Sequence, residues 1–106
     1  MASSEEFLSF ILDQLSNLDE ISYRKMMGEY ILYFKDKIFG GIYDDRLLLK
    51  IVPSSISILK DSPLEKPYEG AKEMILVEDV DNRELLHRLI PKMYDELSYQ
   101  IKKKNK

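Results

Sequence analysis

Three short apolar runs, set apart by three-residue polar joins, constrain this chain most. Tyr30–Phe34, Ile38–Tyr43 and Leu47–Val52 are separated only by Lys35-Asp36-Lys37 and Asp44-Asp45-Arg46. Each run is 5 or 6 residues long, which is ordinary strand length. Such short joins read as hairpins of an antiparallel meander. Ile21–Met27 reads as the start of a long, bent first strand, with Gly28 at the bend or bulge because glycine tolerates that backbone geometry.

Helical periodicity flanks the meander. Ser3 and Glu6 have capping-box spacing, and Phe7, Phe10, Ile11, Leu15 and Leu18 follow at 3- and 4-residue steps. This predicts an amphipathic helix over residues 4–17. Pro53 stops the third strand, and Ser54-Ser55 start a short helix that carries Ile56 and Leu59 and ends near Asp61. Pro63 and Pro67 enclose a polar loop that runs to Gly70, and Met74–Val77 is a short strand. Asp81 caps the last helix, with Glu84 at its third position and an apolar stripe of Leu86, Leu89, Ile90, Met93, Leu97 and Ile101. Pro91 interrupts that stripe and predicts a kink or break. The order is α-β-β-β-α-β-α, an α+β fold with helices packed on one antiparallel sheet. One domain spans residues 1–101, followed by a basic tail over 102–106.

Function classes fall away quickly. With 106 residues there is room for a single core but not for a multidomain enzyme. No cysteine is present, which removes disulfides, zinc–thiolate sites and a cysteine nucleophile and fits a reducing cytosol. The N-terminal stretch lacks a basic region, and Ser9 and Asp13 break its apolar run, so it does not read as a signal peptide. No run reaches membrane-span length. The expected location is the cytoplasm. Net charge is −3 although Lys102, Lys103, Lys104 and Lys106 crowd the last five residues, so the body is poorly suited to a phosphate backbone.

Residue chemistry offers no catalyst, cofactor or metal site. His87 is the single histidine, so no two-histidine metal site can form, and it reads as a helix-boundary residue. Asp44 and Asp45 read as turn residues rather than an acid/base pair. Glu78, Asp79, Asp81 and Glu84 read as first-turn acidity rather than a cation site. Gly40-Gly41 is not a phosphate loop, and small residues there would let a helix approach the sheet. Tyr23, Tyr30, Tyr33 and Phe34 alternate with Arg24, Lys25, Lys35 and Lys37. Such a pattern can stack bases, but strand alternation must bury part of it.

Arg24 to Lys50 is the most distinctive stretch. Arg24-Lys25-Met26-Met27-Gly28-Glu29-Tyr30-Ile31-Leu32-Tyr33 resembles the R-K-M-F-G-E-Y-G-L-Y signature of the TfoX (Sxy) N-terminal domain family. Lys37–Ile42 is similar to that family's second strand, and Asp44-Asp45-Arg46-Leu47-Leu48-Leu49-Lys50 to its D-D-R-L-Y-L-K third strand. Met27 stands where the family has phenylalanine, Ile31 where it often has glycine, Leu48 where it often has an aromatic, and Asp36 where it has a turn glycine. The resemblance implies a fold like that of type III secretion chaperones and no catalytic residues. Two-domain members are bacterial regulators of natural competence that act with the cyclic-AMP receptor protein at promoters. This chain has the length of the N-terminal module alone.

The expectation that follows is a non-catalytic regulatory module that binds a protein partner, a transcription factor or RNA polymerase. A chaperone-like or structural homodimer is the alternative, motivated by apolar residues on both sides of the strands, such as Leu47, Leu48 and Leu49. Weak nucleic-acid binding through the lysine tail ranks third. Arg24, Lys25, Glu29 and Tyr30 are the candidate interaction surface, because polar signature residues beside a sheet bend are poorly explained by packing. The plain structural reading of Glu29 is a pairing with Arg24 or Lys25.

Overall fold

The computed structural model describes residues 3–97. Its elements are α1 (Glu5–Gln14), β1 (Ile21–Met26), β2 (Glu29–Phe34), β3 (Lys37–Tyr43), β4 (Arg46–Leu49), α2 (Pro53–Ile58), β5 (Leu64–Glu65), β6 (Met74–Leu76) and α3 (Arg83–Tyr94). All strand pairs are antiparallel, in the order β1-β2-β3-β4-β6-β5. The expected α+β class and helix–strand order hold, with the first strand doubled and a two-residue β5 added inside the expected loop. The lysine tail and Ile101 lie outside the described residues.

The bent first strand is a hairpin instead. Met26 pairs with Glu29, so Met27-Gly28 is a two-residue turn, with φ of 54° and 86°. A turn with positive φ at both central residues matches the right-handed twist of the strands it joins, and glycine takes its second position freely. The β3–β4 turn is built the same way, with Asp44 and Asp45 at φ of 56° and 57°. The irregularity lies in β2–β3, where the register shifts between Leu32 and Tyr33.

Helix boundaries shift for local reasons. Ser4, not Ser3, caps α1 by accepting the Phe7 N–H, because the Ser3 hydroxyl is engaged elsewhere. The helix stops at Gln14, and Leu15 and Leu18 pack from the following turns while Phe10 is exposed. Pro53 opens α2 rather than merely ending a strand, since its missing N–H costs nothing in a first turn. Buried Ser55 then accepts the Val52 N–H at 3.0 Å from inside the helix. Asn82, not Asp81, caps α3 through the Leu85 N–H. That helix passes through Pro91 to Tyr94 without a break, with Pro91 exposed and its neighbours Leu89, Ile90 and Met93 buried. Tertiary packing outweighs the lost hydrogen bond.

Helices cover one face of the sheet. Leu8, Ile11 and Leu15 from the α1 region and Leu86, Leu89, Ile90 and Met93 from α3 join Tyr30, Leu32, Phe34, Ile42, Leu47, Leu49 and Ile75 in one core. Each fully buried aliphatic side chain there stabilises by about 1.5–3 kcal/mol. Gly40 and Gly41 do not admit a helix, contrary to expectation. A Cβ on Gly40 would lie 2.2 Å from the Leu48 carbonyl of the adjacent strand, and one on Gly41 2.5 Å from the Tyr43 ring. Leu48 is also wholly buried but is outside that core, on the opposite face of β4. Among the described residues that opposite face carries no helix, and it holds the site.

Candidate functional site

The four signature residues divide between surface and scaffold. Arg24 and Lys25 lie exposed on β1, at the edge of the sheet, and form no ion pair among the described residues. Tyr30 is 3% exposed, with its ring edge-on to Tyr23 at 5.8 Å. Glu29 pairs with neither Arg24 nor Lys25. Its Oε1 accepts from the Ser3 hydroxyl at 2.7 Å and from the Asp44 N–H at 3.1 Å. The Ser3 oxygen in turn accepts the Asp45 N–H, and Asp45 Oδ1 accepts the Ser4 N–H. One carboxylate thus ties the start of α1 to two hairpin turns, and these bonds offset the strain of left-handed aspartates.

Arg46 has a comparable role on the open face. Its guanidinium donates to the Tyr43 carbonyl at 3.1 Å, to Glu65 Oε1 at 2.5 Å, and to the Lys66 and Pro67 carbonyls at 3.5 Å. The fork thereby pins segment 65–67, and the loop that follows folds back over the sheet. A groove of about 640 Å³ lies between that loop and the strands. Ile31, Ile38 and Tyr43 form its floor, Ile51 and Met74 its sides, and Tyr68, Lys72 and Glu73 the loop wall, with Lys50 projecting in from the end of β4. A second hollow of about 430 Å³ shares Ile31, Tyr43 and Tyr68 and extends to Met26 and Met27. The first volume lies in the range of about 300–1,000 Å³ common for small-molecule sites.

Electrostatics in the groove are unusual for a surface. Burial, with Lys72 nearby, pushes the Lys50 ammonium below the ordinary lysine pKa. Burial pushes the Tyr43 hydroxyl up, helped by Tyr68 and Glu29, so it stays a neutral donor. Neither lysine forms an ion pair among the described residues. Lys50 closes the Asp44–Lys50 run of the family resemblance, but nothing in the sequence pattern marked it or Lys72 as a groove residue. The alternation of Ile31, Tyr43 and Lys50 onto the second face was the available signal, whereas Tyr68 and Lys72 arrive through a loop without periodicity.

The remaining candidates resolve into structure. His87 Nε2 lies 2.7 Å from the Gln14 carbonyl, which can only accept, so Nε2 carries the proton and joins α3 to the end of α1. In the aromatic–basic segment Tyr30 and Phe34 are buried, and Lys37 stands 4.2 Å over the Tyr94 ring while donating to the Tyr94 carbonyl. Among the described residues no group of three or more acidic or histidine side chains could hold a metal ion, and no helix is long and apolar enough to cross a membrane.

Comparisons place this architecture. An uncharacterized 12.7 kDa protein in the trpE 5′ region of Spirochaeta aurantia is 31% identical over 80 residues, covering 76% of this chain and 70% of the relative. No solved structure gives a significant match. The family model of the TfoX N-terminal domain matches residues 13–96, from the end of α1 through α3. The chain therefore belongs to the TfoX N-terminal domain family.

Proposed function

We propose that this chain is a non-catalytic regulatory module that docks a protein partner along its β1 edge. The observation that carries the reading is β1 itself. Five of its six residues are exposed, it ends the sheet, and it carries Arg24 and Lys25 with no acidic residue. An unpaired edge is a template for an added strand. The two cations favour an acidic extended segment, while Glu29 and Tyr30 hold the hairpin from behind. By analogy with the competence regulators among the family's two-domain members, the partner of this reading is a component of the transcription apparatus such as an activator or RNA polymerase. A homodimer through this edge is disfavoured by charge, since both copies would bring Arg24 and Lys25 to one seam. Leu47, Leu48 and Leu49, the apolar residues that motivated a dimer, are already buried within the chain.

The test is a photo-crosslinker at Tyr23 in native cells, compared with the same probe in the double reversal Arg24→Glu, Lys25→Glu. We expect adducts to a transcription protein that disappear on charge reversal. Adducts unaffected by the reversal, or none, would remove the edge as the docking site. Light scattering that gives a dimer dependent on β1 would replace the partner by a second copy.

A further inference from the structure

The open-face groove carries a second, independent function. We propose that it binds a small amphipathic carboxylate, with the acid group received by Lys50 and Lys72 and the apolar body lying over Ile31, Ile38, Ile51 and Met74.

Three observations converge on that ligand. First, the groove is concave, apolar in its floor and sides, and of small-molecule size. Second, two ammonium groups converge on it without an acceptor within the described chain. A lysine half withdrawn from water beside another lysine is an arrangement that an anion relieves. The lowered pKa of Lys50 is the consequence of the same geometry. Third, the charge count selects the anion. Glu73 lines the same groove, so two cations and one carboxylate leave a single net positive charge. That balance suits one carboxylate and disfavours a phosphate dianion. The neutral Tyr43 hydroxyl, which lines the groove, can donate to the same acid group. The hollow that continues past Tyr68 toward Met26 and Met27, where the Glu29 carboxylate is engaged by Ser3 and Asp44, gives an alkyl or aryl body room to extend, and flexible methionines adapt to its shape.

The acid-binding end of the site at Lys50 and Lys72 lies away from β1, and only the far hollow reaches Met26 at its end, so probes at the two lysines and at Arg24 and Lys25 let each reading fail alone. The experiment is a methyl-detected NMR titration of the full chain with decanoate below its micelle concentration. Decanol, inorganic phosphate and an apolar peptide with a free C-terminal carboxylate serve as parallel probes. Saturable shifts of the Ile31, Ile38, Ile51 and Met74 methyls by decanoate are expected. Decanol should bind at least about tenfold more weakly, as loss of a charge-assisted contact requires, and phosphate should leave these methyls unmoved. Lys50→Met should weaken decanoate about tenfold and leave decanol unchanged. Lys72→Gln, at an exposed position, should repeat the effect. Equal binding of decanol and decanoate would overturn the proposal, as would decanoate affinity indifferent to both lysines. Binding of the peptide without decanoate would assign the groove to a protein tail and overturn it too.

Discussion

The two faces of the sheet use alternate residues of the same strands, yet they solve different problems. On the covered face Leu32, Ile42, Leu47, Leu49 and Ile75 are at most 1% exposed and meet the helices in one core. On the open face Ile31 and Ile38 are half-buried, Tyr68 is 64% exposed and Met27 96%. The covered face is completed by the chain itself. The open face gathers apolar area and cations that find no ion pair among the described residues. Protein surfaces seldom keep such a combination without use.

Adjacent residues of β2 make the sharpest test of that contrast. Leu32→Ala removes a wholly buried side chain and should cost about 2–5 kcal/mol, read from the urea midpoint. Ile31→Ala, one residue away on the open face, should cost about 1 kcal/mol, clearly less than Leu32→Ala, because a partly exposed site leaves no sealed cavity. Equal losses would mean that the open face is core and the contrast false.

Gly41→Ala probes the boundary between the faces. The new methyl would meet the Tyr43 ring at 2.5 Å and the Tyr30 carbonyl at 2.7 Å. The ring can swing away, but the strand carbonyl cannot, so a loss of about 1–3 kcal/mol is expected. Displacement of Tyr43 should also show in the methyl spectrum of Ile31 and Met74. A neutral result would mean that the ring does not lie over β3 in solution.

Lys50 tests whether the groove is dry enough to matter. Burial and Lys72 hold its pKa below the ordinary 10.5, so between those values the unfolded chain binds more protons than the folded one. Stability must then rise with pH across that window, because deprotonation lifts a cost present at neutral pH. Lys50→Met should be more stable than wild type at pH 7, and the gap should close as pH approaches 10.5. Denaturation series at stepped pH check this. A gap that stays constant would place the ammonium fully in water and weaken the contrast between groove and surface.

Much of the covered face was legible because period and burial act together. Leu86, Leu89, Ile90 and Met93 repeat at helical spacing, and the helix they specify survives Pro91. The β3–β4 hairpin followed from two aspartates between apolar runs, although the register shift at Leu32/Tyr33 did not. Caps were misplaced by one residue because adjacent groups compete. Ser3 and Ser4 can each cap α1, and only the tertiary bond from Ser3 to Glu29 decides between them. The β1–β2 turn was missed because methionine does not announce a left-handed position. The groove was least legible of all. Its wall is a loop held by one guanidinium, and its lysines are ordinary until folding brings them together.

Met27 brings the contrast down to a single residue and the smallest expected effect. It is 96% exposed and held at φ of 54°, so it violates both hydrophobic and conformational preference at one position. An L-residue in that region costs roughly 1–2 kcal/mol, less for asparagine, whose short polar side chain bonds locally. Met27→Asn should therefore stabilise the chain by about 0.5–1 kcal/mol, seen as a higher urea midpoint. The same substitution removes an apolar wall from the hollow beyond Tyr68, so decanoate binding should weaken as stability rises. A stability gain together with weaker binding would show that strain is retained for recognition. A gain with binding unchanged would make Met27 a tolerated misfit and confine the site to the half of the groove held by Lys50 and Lys72.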